Sequence, residues 1–400
     1  MNFPRILKKR KGYIDRIKPF MQKSVVKVLT GQRRVGKSFL LYQLIEEILA
    51  EEPNANIIYV NLEDFTFSSL QTAEDLHSYI ISHSKEKVKN YIFIDEIQDI
   101  PGFEKVIRSL LLNEDNDIYI TGSNAKMLSG ELATYLSGRY IEFKIYSLSY
   151  SEFLEFHGLT ESETSYELYS RYGGLPYLLN LPLEDETVNE YLKSVYSTIV
   201  FRDVVSRYKL RNTLFLEKLI QFLSENIGNL FSAKNISDYL KSQYTISVNQ
   251  IQSYTEYLNN AFLIHRVERY DLIGKRVFEI GEKYYFENMG IRNIVIGYRI
   301  TDKAKILENL VYNHLLYKGY DIKVGYYGDK EIDFIGEKNG EKLYIQVALK
   351  IDSDKTAERE FGNLLKIQDN YPKIVVTEDT FSGNSYEGIR HCPIRQFLME

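Results

Sequence analysis

The sequence predicts an α/β protein with a five-stranded parallel sheet in its front part. Three observations predict it. The stretch "VLTGQRRVGKSFLLYQL", Val28 to Leu44, passes from a β-branched apolar run through a glycine-bearing loop into a run with helical period. A second apolar run, "YIFIDEIQDI", ends in two adjacent acids. Further short apolar runs at Ile57 to Asn61, Ile118 to Thr121 and Ile141 to Ile145 bring the front strands to five.

The first element is the loop. It matches G-x-x-x-x-G-K-[ST] as Gly31, Gln32, Arg33, Arg34, Val35, Gly36, Lys37 and Ser38. Such a P-loop turns backbone N–H groups toward phosphates, and the following helix adds the positive end of its dipole. Lys37 is expected to contact the phosphates and Ser38 to ligate Mg²⁺. The acids come next: Asp95, closing a strand, is expected to hold Mg²⁺ through water, and Glu96 to position the attacking water. A base preference is not encoded in a loop that reads phosphates, and no N-K-x-D motif for guanine is present.

In "SLSYSEFLEFHG", Ser149 stands three residues before Glu152, a capping box that opens a helix and the expected lid. Gly173, Gly174 and Pro176 in "RYGGLPYLL" predict a turn between lid helices. From Leu214 to Val277 the pattern is three helices and a strand pair, which resembles a winged helix-turn-helix. Its expected recognition helix carries Asn249, Gln250, Gln252, Ser253 and Glu256 but no basic residue. Arg266, Arg269, Lys275 and Arg276 lie in the expected wing. A structural or protein-contact role is favoured over DNA.

Composition sets outer bounds. At 400 residues two or three domains are expected. A net charge of −5 argues against a chain that coats nucleic acid, although Arg5, Lys8, Lys9, Arg10, Lys11, Arg16, Lys18 and Lys23 form a basic arm. The single cysteine, Cys392, excludes an intramolecular disulfide and a cysteine metal cluster, and no apolar run reaches the roughly 18 to 20 residues of a membrane span. A cytoplasmic protein without a membrane partner is expected.

The five strands, P-loop and acidic doublet resemble the AAA+ ATPase core. In that family Ser123 and Asn124 would sense the γ-phosphate, and Arg139 in "YLSGRY" would act as an arginine finger toward a neighbouring subunit. "KYYFENMGIRNIVIG" is similar to the start of the domain of unknown function that follows such cores in a bacterial and archaeal group. The tail of that group is related to PD-(D/E)xK nucleases, which implies a restriction-endonuclease-like fold. Mapped onto this pattern, Glu308 and Asp333 match, whereas Gln346 and Ala348 replace the expected Glu and Lys. Lys350, about 7 Å further along the strand, is a candidate for a migrated lysine. Leu343, Ile345, Val347 and Leu349 are expected to face the core.

The resemblance implies domains at 1–148 (core), 149–210 (lid), 211–280 (winged helix) and 281–400 (degenerate nuclease). It implies an ATP- and Mg²⁺-dependent ATPase whose nucleotide state controls its back domains, with a protein partner or self-association. An ATP-dependent nuclease acting on DNA, or a low-turnover nucleotide switch or scaffold, are the alternatives.

Overall fold

The apolar runs around the P-loop motif become strands that are covered on both faces. The computed structural model describes residues 8–125, 136, 138–240, 247–274, 276–328, 330–351, 353–379 and 385–400, without the side chains of 239, 240, 276–280, 354 and 355. Arg5 and Lys275 therefore lie outside the described residues. The chain divides into two units: Met1–Tyr146 with Asn260–Phe262, and Ser147–Asn259 with Leu263–Glu400.

In the first unit, β1 (Val26–Thr30), β2 (Asn56–Asn61), β3 (Asn90–Asp95), β4 (Asn116–Gly122) and β5 (Tyr140–Lys144) form a parallel sheet in the order β2-β3-β4-β1-β5. The interior strands β1, β3 and β4 are buried along their whole length, whereas the edge strands β2 and β5 are only partly covered. That is why β3 and the centre of β4 read as continuous apolar stretches without alternation, while β1 is interrupted by the buried Lys27. Helices Lys37–Glu51, Ala73–His83 and Phe103–Leu110 provide the crossovers that parallel pairing requires. Val26, Val28, Ile92, Ile94, Ile118 and Ile120 join Leu76, Ile80, Val106 and Ile107 in one core. Burial of each such side chain stabilises the fold by about 1.5–3 kcal/mol. Since all five strands run the same way, the loops after β1, β3 and β4 emerge together at their carboxyl ends, where parallel sheets bind ligands.

The basic stretch before β1 is not a solvated arm. Lys11–Ile17 is a helix that buries Tyr13, Ile14 and Ile17, and both Lys9 and Lys18 pair with Glu47 of the P-loop helix. Arg10 is buried too, and its guanidinium donates to the carbonyls of Val35 (3.2 Å) and Tyr146 (2.8 Å).

The second unit holds an eight-stranded mixed sheet in the order β12-β13-β11-β10-β9-β8-β6-β7. Its strands are β6 (Ile264–Asp271), β7 (Arg276–Phe286), β8 (Asp321–Tyr327), β9 (Lys330–Lys338), β10 (Glu341–Ala348), β11 (Lys373–Thr377), β12 (Ser385–Tyr386) and β13 (Ile389–Pro393). The Ser149–Glu152 capping box is present and starts helix Tyr150–His157. Gly173 ends helix Glu163–Tyr172 at φ +71°, and a Cβ there would lie 2.3 Å from the Asn288 side-chain oxygen. A Cβ on Gly174 would lie 2.4 Å from the Leu148 carbonyl. The glycines of "RYGGLP" thus permit close backbone packing.

Two expectations are corrected. The expected wing, β6 and β7, does pair antiparallel, but β6 also pairs parallel with β8 through Arg269–Val324, Tyr270–Gly325 and Asp271–Tyr326. The expected winged helix is thus not separate: β7 runs through the boundary at 280/281, and one sheet joins both segments. A parallel pairing across some fifty residues leaves no local signature in a sequence. The second correction concerns β10, which is covered on both faces. Tyr344 and Ile345 are both buried, and Tyr344 packs with Ala357, Phe361 and Leu364 of helix Asp354–Leu365. The expected inward face of Leu343, Ile345, Val347 and Leu349 is therefore not the only core face.

Candidate active site

β1 delivers the chain into Gly31 at φ +153°, where a Cβ would meet the Ile145 carbonyl at 2.1 Å, so this position admits only glycine. The loop continues through Arg34, whose φ is +69°, and closes at Gly36, φ +96°, which caps helix Lys37–Glu51. Val35 and Gln32 are buried. Gln32 donates from Nε2 to the Phe262 carbonyl at 2.8 Å, and Arg33 pairs with Glu63 at 2.9 Å.

Lys37 folds back over the loop. Its ammonium donates to the carbonyls of Gly31 (3.0 Å) and Gln32 (3.1 Å) and lies 3.7 Å from Glu96 Oε1. Ser38 hydrogen-bonds Asp95, which is buried at the end of β3. The Thr121 hydroxyl on β4 donates to Asp95 Oδ1 and accepts from the Glu96 backbone N–H at 2.9 Å. Glu96 sits in the left-handed region at φ +57°, and its Oε2 accepts from Gln98 at 2.5 Å. Ser123 lies beside Glu96, without a hydrogen bond of regular geometry, and Asn124 is buried next to it in sequence.

Electrostatics separate the two acids. Burial pushes Asp95 above the ordinary carboxylate range, against the pull of Ser38, Thr121 and Lys37. Burial would raise Glu96 as well, but the charges of Lys37 and Arg33 outweigh it and hold that carboxylate below its usual range.

The loop, Lys37, Ser38, Asp95, Glu96, Ser123 and Asn124 are therefore brought together around the carboxyl ends of β1, β3 and β4. Arg139 is not among them. Val26 stands opposite Tyr140 where β1 and β5 begin, and Val26 N–H donates to the Arg139 carbonyl at 3.0 Å. Arg139 thus lies at the amino ends of the strands, a full strand length from Gly31. Sequence reasoning missed Thr121 and Arg10. A threonine inside an apolar strand, one position from its glycine end, is the only signal for the former.

The residues present fit a Mg²⁺-bound nucleotide. Lys37 donates to carbonyls that phosphate oxygens can replace, and Ser38 and Asp95 offer a hydroxyl and a carboxylate side by side. Among the described residues, with the side chains as they stand, no group of three or more His, Cys, Asp or Glu could hold a metal ion. A Mg²⁺ shared with phosphates and water needs only one or two carboxylates.

In the second unit, Glu308 of helix Lys303–Tyr317, Asp333 of β9 and Gln346 of β10 come together: Asp333 N–H donates to Gln346 Oε1 at 3.4 Å, and Glu308 acts electrostatically on Asp333. Lys350 does not join them. Its side chain is 58% exposed and pairs with Asp379 at 2.9 Å, so it is not a migrated lysine of this cluster. The cation that does reach the cluster is Lys283 of β7, unmarked in the sequence reading.

Residues 23–154 match an AAA domain, and residues 163–302 match a domain of unknown function that crosses the boundaries expected at 210 and 280. An uncharacterised protein of Haemophilus influenzae is 37% identical over 404 residues, 98% of each chain. An uncharacterised protein of Methanocaldococcus jannaschii is 31% identical over 355 residues, 84% of this chain and 77% of the relative. Among solved structures, the Aeropyrum pernix ORC1 protein in complex with DNA is similar over 73% of this chain and 93% of its own, at 14% identity and a TM-score of 0.33. Among the described residues, no helix is long and apolar enough to cross a membrane.

Proposed function

The chain belongs to one family with these Haemophilus influenzae and Methanocaldococcus jannaschii proteins and carries an AAA domain, and from this we propose that it binds and hydrolyses ATP at the loop Gly31–Ser38. The single observation that carries the proposal is the position of Lys37, held between the loop carbonyls and Glu96, with Ser38 and Asp95 bonded beside it.

Each side chain then has a task. Lys37 leaves the Gly31 and Gln32 carbonyls for phosphate oxygens, while the N–H groups at the start of helix Lys37–Glu51 face the same anion. Ser38 and Asp95 would hold Mg²⁺, which when bound would supply positive charge to offset that of the phosphates. Glu96, freed from Lys37 and kept ionised by its surroundings, accepts a hydrogen bond from water and orients it. Ser123 and Asn124 read the γ-phosphate, and Arg139 acts on the site of another copy, since its own is a strand length away.

The nucleotide state then governs a protein partner. DNA is the weaker candidate: helix Val248–Asn260 exposes Asn249, Gln252 and Glu256, and Arg266 of β6 is engaged by Glu268 and Glu282. The Glu96–Lys37 ion pair favours one second reading, a low-turnover switch. The second unit acts without cleaving nucleic acid, as Gln346 and Ala348 stand in place of an acid and a lysine. Equilibrium binding of a fluorescent ATP analogue tests the site: Lys37→Ala should abolish binding, whereas unchanged affinity in that variant would remove the loop from the account.

A further inference from the structure

Three carboxylates of the second unit converge on one ammonium. The Lys283 side chain is 4% exposed, and its Nζ lies 2.9 Å from Glu308 Oε1, 2.8 Å from Glu331 Oε1 and 3.8 Å from Asp333 Oδ1. Two of the acids are also held by neighbouring donors. Tyr285 OH donates to Glu308 at 2.6 Å, and Val347 N–H donates to Asp333 Oδ2 at 2.7 Å. Gly228 leaves Glu308 its room, because a Cβ there would come within 2.8 Å of the carboxylate.

Burial alone would lower Lys283, but Glu308, Asp333 and Glu331 outweigh it and hold the ammonium charged. Burial and the Glu308 charge together push Asp333 well above the ordinary range. Glu331 and Asp333 are two residues apart on β9, so the strand's period of two aims both at one side. An ammonium fixed 2.8 to 2.9 Å from two carboxylate oxygens fills the space in which a divalent ion would sit roughly 2.0–2.6 Å from the same atoms.

We propose that Lys283 is the resident cation of this acidic pocket: its ammonium takes the place of a divalent metal, so the native chain binds no Mg²⁺ or Mn²⁺ there, and truncating Lys283 turns the pocket into a divalent-cation site. The inference deepens the view of the second unit as nuclease-like but inactive, and rests on it. It does not depend on ATP hydrolysis. It also gives the loss of the β10 lysine and acid a physical counterpart, a cation supplied from β7.

The test is calorimetric titration of Mn²⁺ into ATP-free protein, comparing the native chain, Asp333→Asn, Lys283→Ala and the double variant. Any Mn²⁺ taken up elsewhere contributes equally to all four. The native chain and Asp333→Asn should titrate alike, Lys283→Ala should take up one additional Mn²⁺ per chain, and the double variant should lose it. A native Mn²⁺ site that Asp333→Asn removes would overturn the proposal, as would a folded Lys283→Ala that gains no metal. If Lys283→Ala does not fold, the comparison of the native chain with Asp333→Asn still decides. A DNA-cleavage assay on the same samples separates the two claims. Mn²⁺-dependent cleavage lost in Asp333→Asn removes both, whereas Asp333-dependent binding without cleavage removes only the Lys283 proposal.

Discussion

The backbone N–H of Glu96 donates to the Thr121 hydroxyl at 2.9 Å, and the same hydroxyl donates to Asp95, so one side chain on β4 fixes both acids at the end of β3. Glu96 is held there in a left-handed conformation, φ +57°, that costs a non-glycine residue of order 1 kcal/mol. Strain retained beside a P-loop is consistent with a positioning task for the peptide that joins the two acids. Thr121→Val should lower kcat for ATP about tenfold, about 1.4 kcal/mol in barrier, with KM changed less than about threefold. Thr121→Ser, which keeps the hydroxyl, should stay near the native rate. Equal loss in both variants would assign Thr121 to packing alone.

Arg139 lies at the wrong end of the sheet for its own nucleotide, so any catalytic part it has is played in trans. ATPase activity per chain should then rise with protein concentration. Mixing Arg139→Ala with Glu96→Ala protein should restore activity that neither shows alone. Concentration-independent turnover, with no recovery on mixing, assigns Arg139 to the surface.

Lys27 and Asp117 form an ion pair with no exposed side-chain surface between β1 and β4; Asp117 also accepts from Tyr119 OH at 2.7 Å and from Gln22 N–H at 2.8 Å. Removing one partner leaves a buried charge, and Asp117→Ala should cost about 3–5 kcal/mol. The double change Lys27→Met with Asp117→Leu should lose less than Asp117→Ala alone. Urea midpoints of the three proteins check the ordering.

His314 is buried in helix Lys303–Tyr317 against the Phe397 ring, and burial, helped by the Lys318 charge, pushes it down to about 3. The unfolded chain takes up a proton near pH 6.5 that the folded chain refuses, so stability is full above that pH and falls as the pH drops toward 3. Each pH unit within that window is worth about 1.4 kcal/mol at most. His314→Gln should flatten the loss between pH 6.5 and 5 without abolishing it, because burial lowers His391 in the same direction. An unchanged slope in the urea midpoint against pH would contradict the assignment.

The front of the molecule was legible because its signals are local. A glycine-bearing loop between a β-branched run and an amphipathic run marks the turn seen at Gly31–Ser38, and Asp95 closes its strand with Glu96 directly after it. The capping box at Ser149 and Glu152 is equally local. What escaped depends on distant partners. β6 pairs with β8 across the chain, Arg10 supports Val35, and Lys283 reaches Glu308, Glu331 and Asp333 from another strand. Lys350 attracted attention by spacing along β10, yet three dimensions gave the cation's place to a lysine 67 positions earlier in the sequence.

The central claim is that Glu96 positions water at a working ATPase site. Steady-state phosphate release by the native protein and by Glu96→Gln, with bound nucleotide measured in parallel, tests it most directly. Turnover in Glu96→Gln should fall by at least about 100-fold, the scale of a lost general base or positioning group, while ATP stays bound. Equal turnover in the two proteins, or no hydrolysis by the native chain, would contradict it.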